Sequence, residues 1–151
     1  MSFTLRPLEE ADFDAWYPLW QGYLTFYESA VADDVTRHTF DRMIDPDGDI
    51  FGLCAVDDAG NLIGFVTWLF HPFTWSREPR CYLGDLFTSP AARGKGVARA
   101  LIAAVNEEAG KAGAAQVYWL TQEFNYQGRM LYDKVATRTP FIKYSQKVPA
   151  Q

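Results

Sequence analysis

The sequence predicts an α/β domain (α+β mixed) built on a central mixed, mostly antiparallel sheet flanked by helices on both faces. Three observations carry this. The elements expected from periodicity run β, α, α, β, β, β, α, β, α, β, a meander followed by alternation, which is the order of a mixed sheet covered by helices. Residues 80–88, 96–111 and 116–121 form a strand–helix–strand unit, which calls for a parallel pair and a right-handed crossover. The chain has 151 residues, 48% of them apolar and 22% charged, which suits a single domain, 1–151, with one sizeable core.

In chain order, residues 3–7 (FTLRP) read as a short first strand. Residues 9–29 place Phe13, Trp16, Tyr17, Trp20, Leu24 and Tyr27 at helical spacing, and Pro18 among them predicts a kink or two pieces. Residues 33–43 form a second short helix with Val35, Phe40, Met43 and Ile44 on its apolar side. Asp45-Pro46-Asp47-Gly48 is a turn. Residues 50–56 and 62–70 make an antiparallel hairpin about the turn 57–61. Pro72 and Pro79 mark a loop, and residues 80–88 form a strand that Ser89-Pro90 ends. Residues 96–111 are a helix with Val97, Leu101, Ile102 and Val105 inward, stopped by Gly110 and Gly113. Residues 116–121 (QVYWLT) are a strand, 126–135 a helix and 141–148 a final strand.

Charge and composition narrow the function. A net charge of −5 argues against a nucleic-acid binder. No apolar run approaches a membrane span, and the start MSFTLRPLEE lacks the apolar core of a leader peptide. Cys54 and Cys81 form no CxxC pair and read as reduced thiols in or near strands, so a cytoplasmic location is expected. No His/Cys cluster suggests a metal. Residues 1–75 hold 13 Asp/Glu and 3 Lys/Arg, whereas residues 76–151 hold 6 and 11. That asymmetry fits a site receiving a cation on one side and an anion on the other, and equally a chance distribution over solvated faces.

The most specific local signal is Arg93-Gly94-Lys95-Gly96-Val97-Ala98, set between a strand and a helix start. Amide N–H groups there are unpaired and the helix dipole favours an anion. Two glycines let a ligand reach the backbone. The dinucleotide fingerprint fails at Arg99; a P-loop fails at Ser89 and Gly96. What remains is Arg/Gln-x-x-Gly-x-Gly/Ala.

In that context the pattern resembles motif A of the GNAT (GCN5-related) N-acetyltransferase superfamily. YLGDLFTSPAARGKGVARALI looks like the family's fourth strand, loop and third helix, and VYWLTQEFNYQGRMLYDKVA like its fifth strand and fourth helix. The resemblance is carried by residues 80–145, and its closest look is to polyamine, diamine and histone acetyltransferases. It implies a GNAT-like sheet and acetyl-CoA as cosubstrate. The amides of Arg93, Gly94, Lys95, Gly96, Val97 and Ala98 would take the pyrophosphate. Backbone groups of Leu86, Phe87 and Thr88 would pair with the pantetheine arm, with the Leu86 amide the candidate donor to the thioester oxygen. Where relatives often read Leu-Glu-Asp, this chain reads Leu83-Gly84-Asp85, so a commonly used glutamate is missing.

Asn125, Gly128 and Tyr132 stand at i, i+3 and i+7, on one face if all are helical. The cofactor arm could then touch Asn125 and Gly128 and end at Tyr132, the candidate general acid for the departing thiolate. Asp85 is the candidate base, or else the grip for a distal ammonium; Glu28, Asp33, Asp34, Glu123, His38 and His71 are alternatives. Trp20, Tyr23, Phe26, Tyr27, Phe73 and Trp75 supply flat faces for an amine-bearing acceptor. The expected activity is acetyl transfer to a primary amine of a small polyamine-like or amino-acid-like molecule. The alternatives are a protein Lys or N-terminal acetyltransferase and a non-catalytic acyl-CoA-binding module. Oligomeric state is open, with the C-terminal strand a candidate exchange element in a homodimer.

Overall fold

In the computed structural model, which describes residues 2–150, five strands lie in chain order across one sheet. They are β1 (Phe3–Pro7), β2 (Phe51–Asp57), β3 (Leu62–His71), β4 (Arg80–Thr88) and β5 (Gln116–Tyr118). The first four are antiparallel neighbours, and β4 and β5 are parallel. The helices are α1 (Phe13–Phe26), α2 (Asp33–Ile44), α3 (Val97–Lys111) and α4 (Tyr126–Val135). Among the described residues no helix is long and apolar enough to cross a membrane. The chain divides into two units, Met1–Leu120 and Thr121–Gln151.

In the first unit, α1 and α2 cover one sheet face and α3 the other. Trp16, Leu19, Trp20 and Leu24 of α1 join Phe40 and Met43 of α2 over Cys54, Phe65 and Phe87. Trp16 stacks on Trp20 and packs edge-on to Phe65. The Trp20 indole donates to the buried Thr36 hydroxyl at 2.9 Å, so the one polar handle of that ring is satisfied. Gly64, next to Phe65 and thus on the opposite face, backs onto Val97 and Leu101 of α3.

The chain enters α1 through a 3₁₀ turn, Glu10–Asp12, and α1 then runs through Pro18 as one helix rather than two pieces. Pro18 and Asp14, the residue whose carbonyl loses its intrahelical partner, are both exposed, and exposure lowers the cost of the proline.

Two features of β4 position the site. Thr67 pairs with Asp85 but Trp68 pairs with Leu83, so Gly84 is one residue extra in β4, a β-bulge. Parallel pairing with β5 covers only Arg80–Tyr82 against Gln116–Tyr118. The strand expected over 116–121 therefore stops at Tyr118. A bulge bends and twists the strand that carries it, and beyond Tyr82 the edge of β4 facing β5 has no partner strand.

The thiols of Cys54 (β2) and Cys81 (β4) are free and buried, and burial pushes each up to about 11.

The second unit contains α4, none of whose residues is fully buried. The strand expected over 141–148 is not formed. Phe141, Ile142, Tyr144 and Val148 are each more than three-quarters exposed, and none of residues 141–148 has strand pairing. Its alternating pattern suits a strand, but a strand needs an edge to pair with.

Candidate active site

After β4 the chain makes a 3₁₀ turn, Pro90–Ala92, with Pro90 at its first position, and Arg93 is extended. Gly94 (φ 77°) and Gly96 (φ 86°) then lie in the left-handed region, where a Cβ is strained. Helix α3 begins at Val97, one residue later than its pattern suggests, because left-handed Gly96 is the cap and not the first helical residue. Gly96 has no side chain with which to cap the first amides of α3. A Cβ built on Gly94 or Gly96 would meet nothing within 4 Å, so the outer surface of the loop is open. Arg93 is tied back, its Nε donating to the Thr88 carbonyl at 3.2 Å, and Lys95 Nζ donates to the Ala91 carbonyl at 3.4 Å. An open loop of amides at a helix start, flanked by two cations, fits a pyrophosphate.

Leading into the loop, Leu83–Thr88 offers the free edge of β4. Leu86 and Thr88 are half-buried and Phe87 is buried. The Thr88 hydroxyl is buried without a hydrogen-bond partner, an orphan that an incoming polar group would satisfy. A groove of about 450 Å³ runs between α1 and this corner, lined by Leu19, Gly22, Phe26, Phe87, Pro90 and Arg93. Gly22 permits the close approach of α1, since a Cβ there would fall 2.8 Å from the Phe87 ring.

On the α1 face of β4, Asp85 sits among hydroxyls. Thr67 Oγ1 donates to its Oδ2 at 2.6 Å. The Tyr23 phenol faces the same carboxylate; burial first, and that negative charge second, push it well above the ordinary tyrosine range. Tyr23 packs edge-on to Tyr27. Burial and the Asp85 charge also raise Tyr82. One carboxylate facing two tyrosines, Tyr23 and Tyr82, suits an alkylammonium, which gains both a counter-ion and aromatic faces.

At the point where β4 and β5 part, His71 and Tyr118 form a second polar pair. His71 Nδ1 lies 2.7 Å from the Pro72 carbonyl and its Nε2 lies 2.8 Å from the Tyr118 hydroxyl. The carbonyl can only accept, so Nδ1 carries the proton and Tyr118 donates to Nε2.

In the second unit, α4 carries the other sequence-derived candidates. Asn125 is the N-cap and not a helical residue: its side-chain oxygen accepts from the Gly128 amide at 3.2 Å and its Nδ2 donates to Thr121 at 2.9 Å. The three residues therefore do not form the i, i+3, i+7 stripe expected of one continuous helix. A Cβ on Gly128 would fall 2.6 Å from Asn125 Nδ2, which explains the glycine without a ligand. Tyr132 is half-buried in the last turns of α4.

The remaining acceptor-side candidates scatter. Asp33 accepts from the Tyr17 hydroxyl at 3.0 Å; Asp34, His38 and Glu123 are exposed, and exposed Glu28 holds a left-handed φ of 52° at the end of α1. Trp20 is core and Trp75 is 81% exposed. Phe73 lies under the Arg80 guanidinium. The sequence reading missed Thr67 and Tyr82 as neighbours of Asp85, and the His71–Tyr118 pair. The glycine beside Asp85 was the available signal for the bulge that sets the first of these.

Residues 13–136 match the Acetyltransferase (GNAT) family. The chain belongs to that family. This acetyltransferase is 36% identical over 144 residues to the D-amino-acid N-acetyltransferase HPA3 of Saccharomyces cerevisiae, covering 95% of this chain and 89% of the relative. It is 29% identical to the uncharacterized N-acetyltransferase YhfO of Bacillus subtilis, across 98% of this chain and 99% of that one. Among solved structures, aminoglycoside acetyltransferase AAC(6')-Iy in complex with a bisubstrate analogue superposes with a TM-score of 0.85 at 20% identity, covering 99% of this chain and 100% of that one. A ribosomal-protein-alanine N-acetyltransferase from Brucella melitensis biovar Abortus 2308 gives 0.81 at 21% identity, covering 97% and 100%. These likenesses show a common fold. The enzyme is an N-acetyltransferase with acetyl-CoA as cosubstrate.

Proposed function

We propose that this enzyme acetylates the primary amine of a small, amino-acid-like acceptor. The observation that carries the reading is Asp85, the only acid in β4, held by the Thr67 hydroxyl and faced by Tyr23 and Tyr82. A carboxylate in such a setting receives an ammonium group and presents it along the free edge of β4. The 36% identity to a D-amino-acid N-acetyltransferase supports amino acids over longer polyamines.

Acetyl-CoA supplies a thioester carbonyl already activated for attack by an amine. The loop amides from Arg93 to Ala98 hold its pyrophosphate, and the exposed backbone of Leu86, Phe87 and Thr88 aligns the arm. The Leu86 amide serves as donor to the oxygen on which charge develops. Tyr132 donates a proton as the thiolate leaves. Asn125 and Gly128 serve by fixing the start of α4, on which Tyr132 is carried.

The deciding experiment is a turnover screen of D- and L-amino acids, linear polyamines and short peptides with acetyl-CoA, followed by thiol release. Highest kcat/KM with free amino acids supports the reading. Highest kcat/KM with peptides makes the enzyme a protein acetyltransferase, and turnover with no amine makes it an acyl-CoA-binding module.

The exposed apolar row Phe141, Ile142, Tyr144 and Val148 supports a homodimer in which a second copy covers this segment, which light scattering before and after truncation at residue 137 tests. Two unpaired buried thiols favour a reducing, cytoplasmic setting.

A further inference from the structure

We propose that Tyr118 and His71 form a dyad that takes the proton from the acceptor ammonium, with Tyr118 meeting the amine through water and His71 storing the proton. The proposal rests on the amine-acceptor reading above. It starts from the chemistry that reading demands. A primary amine is mostly protonated at pH 7, whether its pKa is that of an α-amino group (about 8) or of a lysine side chain (about 10.4), and only the neutral form attacks. A group must collect the proton.

The geometry supplies one. The Pro72 carbonyl fixes His71 as the Nδ1–H tautomer, leaving Nε2 as an acceptor filled by the Tyr118 O–H. Tyr118 is the last residue of β5 to pair with β4, and its partner there is Tyr82. The Tyr118 and Tyr82 rings are in contact, with centroids 5.1 Å apart, and the Tyr82 phenol feels the Asp85 charge. His71, Tyr118 and Tyr82 thus stand in a row of neighbouring side chains, and Asp85 follows Tyr82 three residues further along β4. Both His71 and Tyr118 are half-buried, so water reaches them while the imidazole stays fixed.

The step balances. The ammonium passes a proton through one water to the Tyr118 oxygen as the phenol proton moves to His71 Nε2, and the N–H electron pair stays on the amine. The product is a neutral amine and a His71 imidazolium whose Nδ1–H still donates to Pro72 and whose Nε2–H donates to Tyr118; the proton then leaves to solvent. The titratable and charged groups facing the pair are Arg80, Cys81 and Tyr82 on β4. Arg80 is the cross-strand partner of His71, and its charge favours the ionised form of Tyr118 against the larger opposing effect of burial. His71 acts through Tyr118 and is a positioning residue in this scheme.

The test measures kcat/KM against pH for the wild type, Tyr118→Phe, His71→Gln and the double variant, with whichever amine of the acceptor screen turns over fastest. Each single variant should lose about 10²-fold at pH 7, and the double variant should lose little more, as groups acting in one relay do. The deficit should close as pH rises towards about 10, where the amine sheds its proton unaided. Acetyl-CoA affinity by calorimetry should not move. A deficit of equal size at every pH, or wild-type rates in both single variants, overturns the dyad while leaving the acceptor reading standing. Failure of the wild type to turn over any amine overturns both. Should Tyr118→Phe not fold by circular dichroism, His71→Gln carries the same pH comparison alone.

Discussion

Thr67 donates its hydroxyl to the Asp85 carboxylate at 2.6 Å across the place where β4 carries one residue more than β3. The bulge makes Gly84 part of this contact, because a Cβ there would sit 3.1 Å from Thr67 Oγ1. Asp85→Asn should lower kcat/KM for the amine by about 10²-fold or more, since the amide keeps shape but not charge. Thr67→Val should cost less, about 10-fold, by leaving the carboxylate unanchored. Steady-state kinetics with varied amine reads both; a wild-type kcat/KM in Asp85→Asn removes Asp85 from the site.

Gly96 holds φ 86° at the cap of α3. Valine there would be strained by roughly 1–2 kcal/mol and would project into the open face of the loop. The acetyl-CoA Kd of Gly96→Val should rise at least about 10-fold in calorimetry, a change of about 1.4 kcal/mol. Equal affinity would reduce the loop to a turn.

Tyr132→Phe should lower kcat by about 10²-fold and leave acetyl-CoA affinity unchanged, because only a hydroxyl needed as the thiolate departs is lost. Single-turnover kinetics isolates that step. A wild-type single-turnover rate excludes the hydroxyl from the chemistry.

Gly128→Ala separates two accounts of one glycine. Helix propensity alone predicts a gain of about 1 kcal/mol. The contact with Asn125 at 2.6 Å predicts instead that the cap is displaced, at a cost of about 1 kcal/mol. Thermal melts decide the sign, and acetyl-CoA affinity should be little altered. A more stable variant would contradict the capping account.

Arg6 holds Asp12 through two hydrogen bonds, 2.7 and 2.9 Å, while the Glu9 amide donates to the same carboxylate at 2.7 Å. The Arg6 hydrogen bonds, against the effect of burial, keep Asp12 below the ordinary carboxylate range. The folded state therefore binds this proton less readily than the unfolded chain. The resulting stability is complete above the unfolded value of about 3.9 and is lost as pH falls through the lower folded value. Asp12→Asn should cost about 1.5–3 kcal/mol at neutral pH and weaken the loss of stability below about pH 4, as measured by urea unfolding. An unchanged acid limb would show that other carboxylates govern it.

The limits of β4 and α4 were legible because their punctuation is local: Pro79 and Ser89-Pro90 bracket one, and Asn125 caps the start of the other. The glycine loop was legible for the same reason, its six residues being contiguous. Local pattern misled where the outcome depended on surroundings. Pro18 is exposed and does not break α1, and residues 141–148 alternate like a strand without forming one. The partners of Asp85 were hidden because the bulge sets which residue of β3 stands opposite, and register is a property of two strands. His71 and Tyr118 are 47 residues apart in sequence and meet only through the parallel pairing of β4 with β5.

Cys54 lies on β2 in the core formed with α1 and α2, whereas Cys81 lies on the strand whose pairing with β5 ends one residue later. With both thiols buried and pushed up to about 11, neither is a reactive thiolate while the fold is closed. The two sulfurs are therefore a built-in pair of clocks. Alkylation of Cys81 times the opening of the β4–β5 seam, alkylation of Cys54 times the loss of the whole core, and the ratio of the two rates reports how independently the seam breathes.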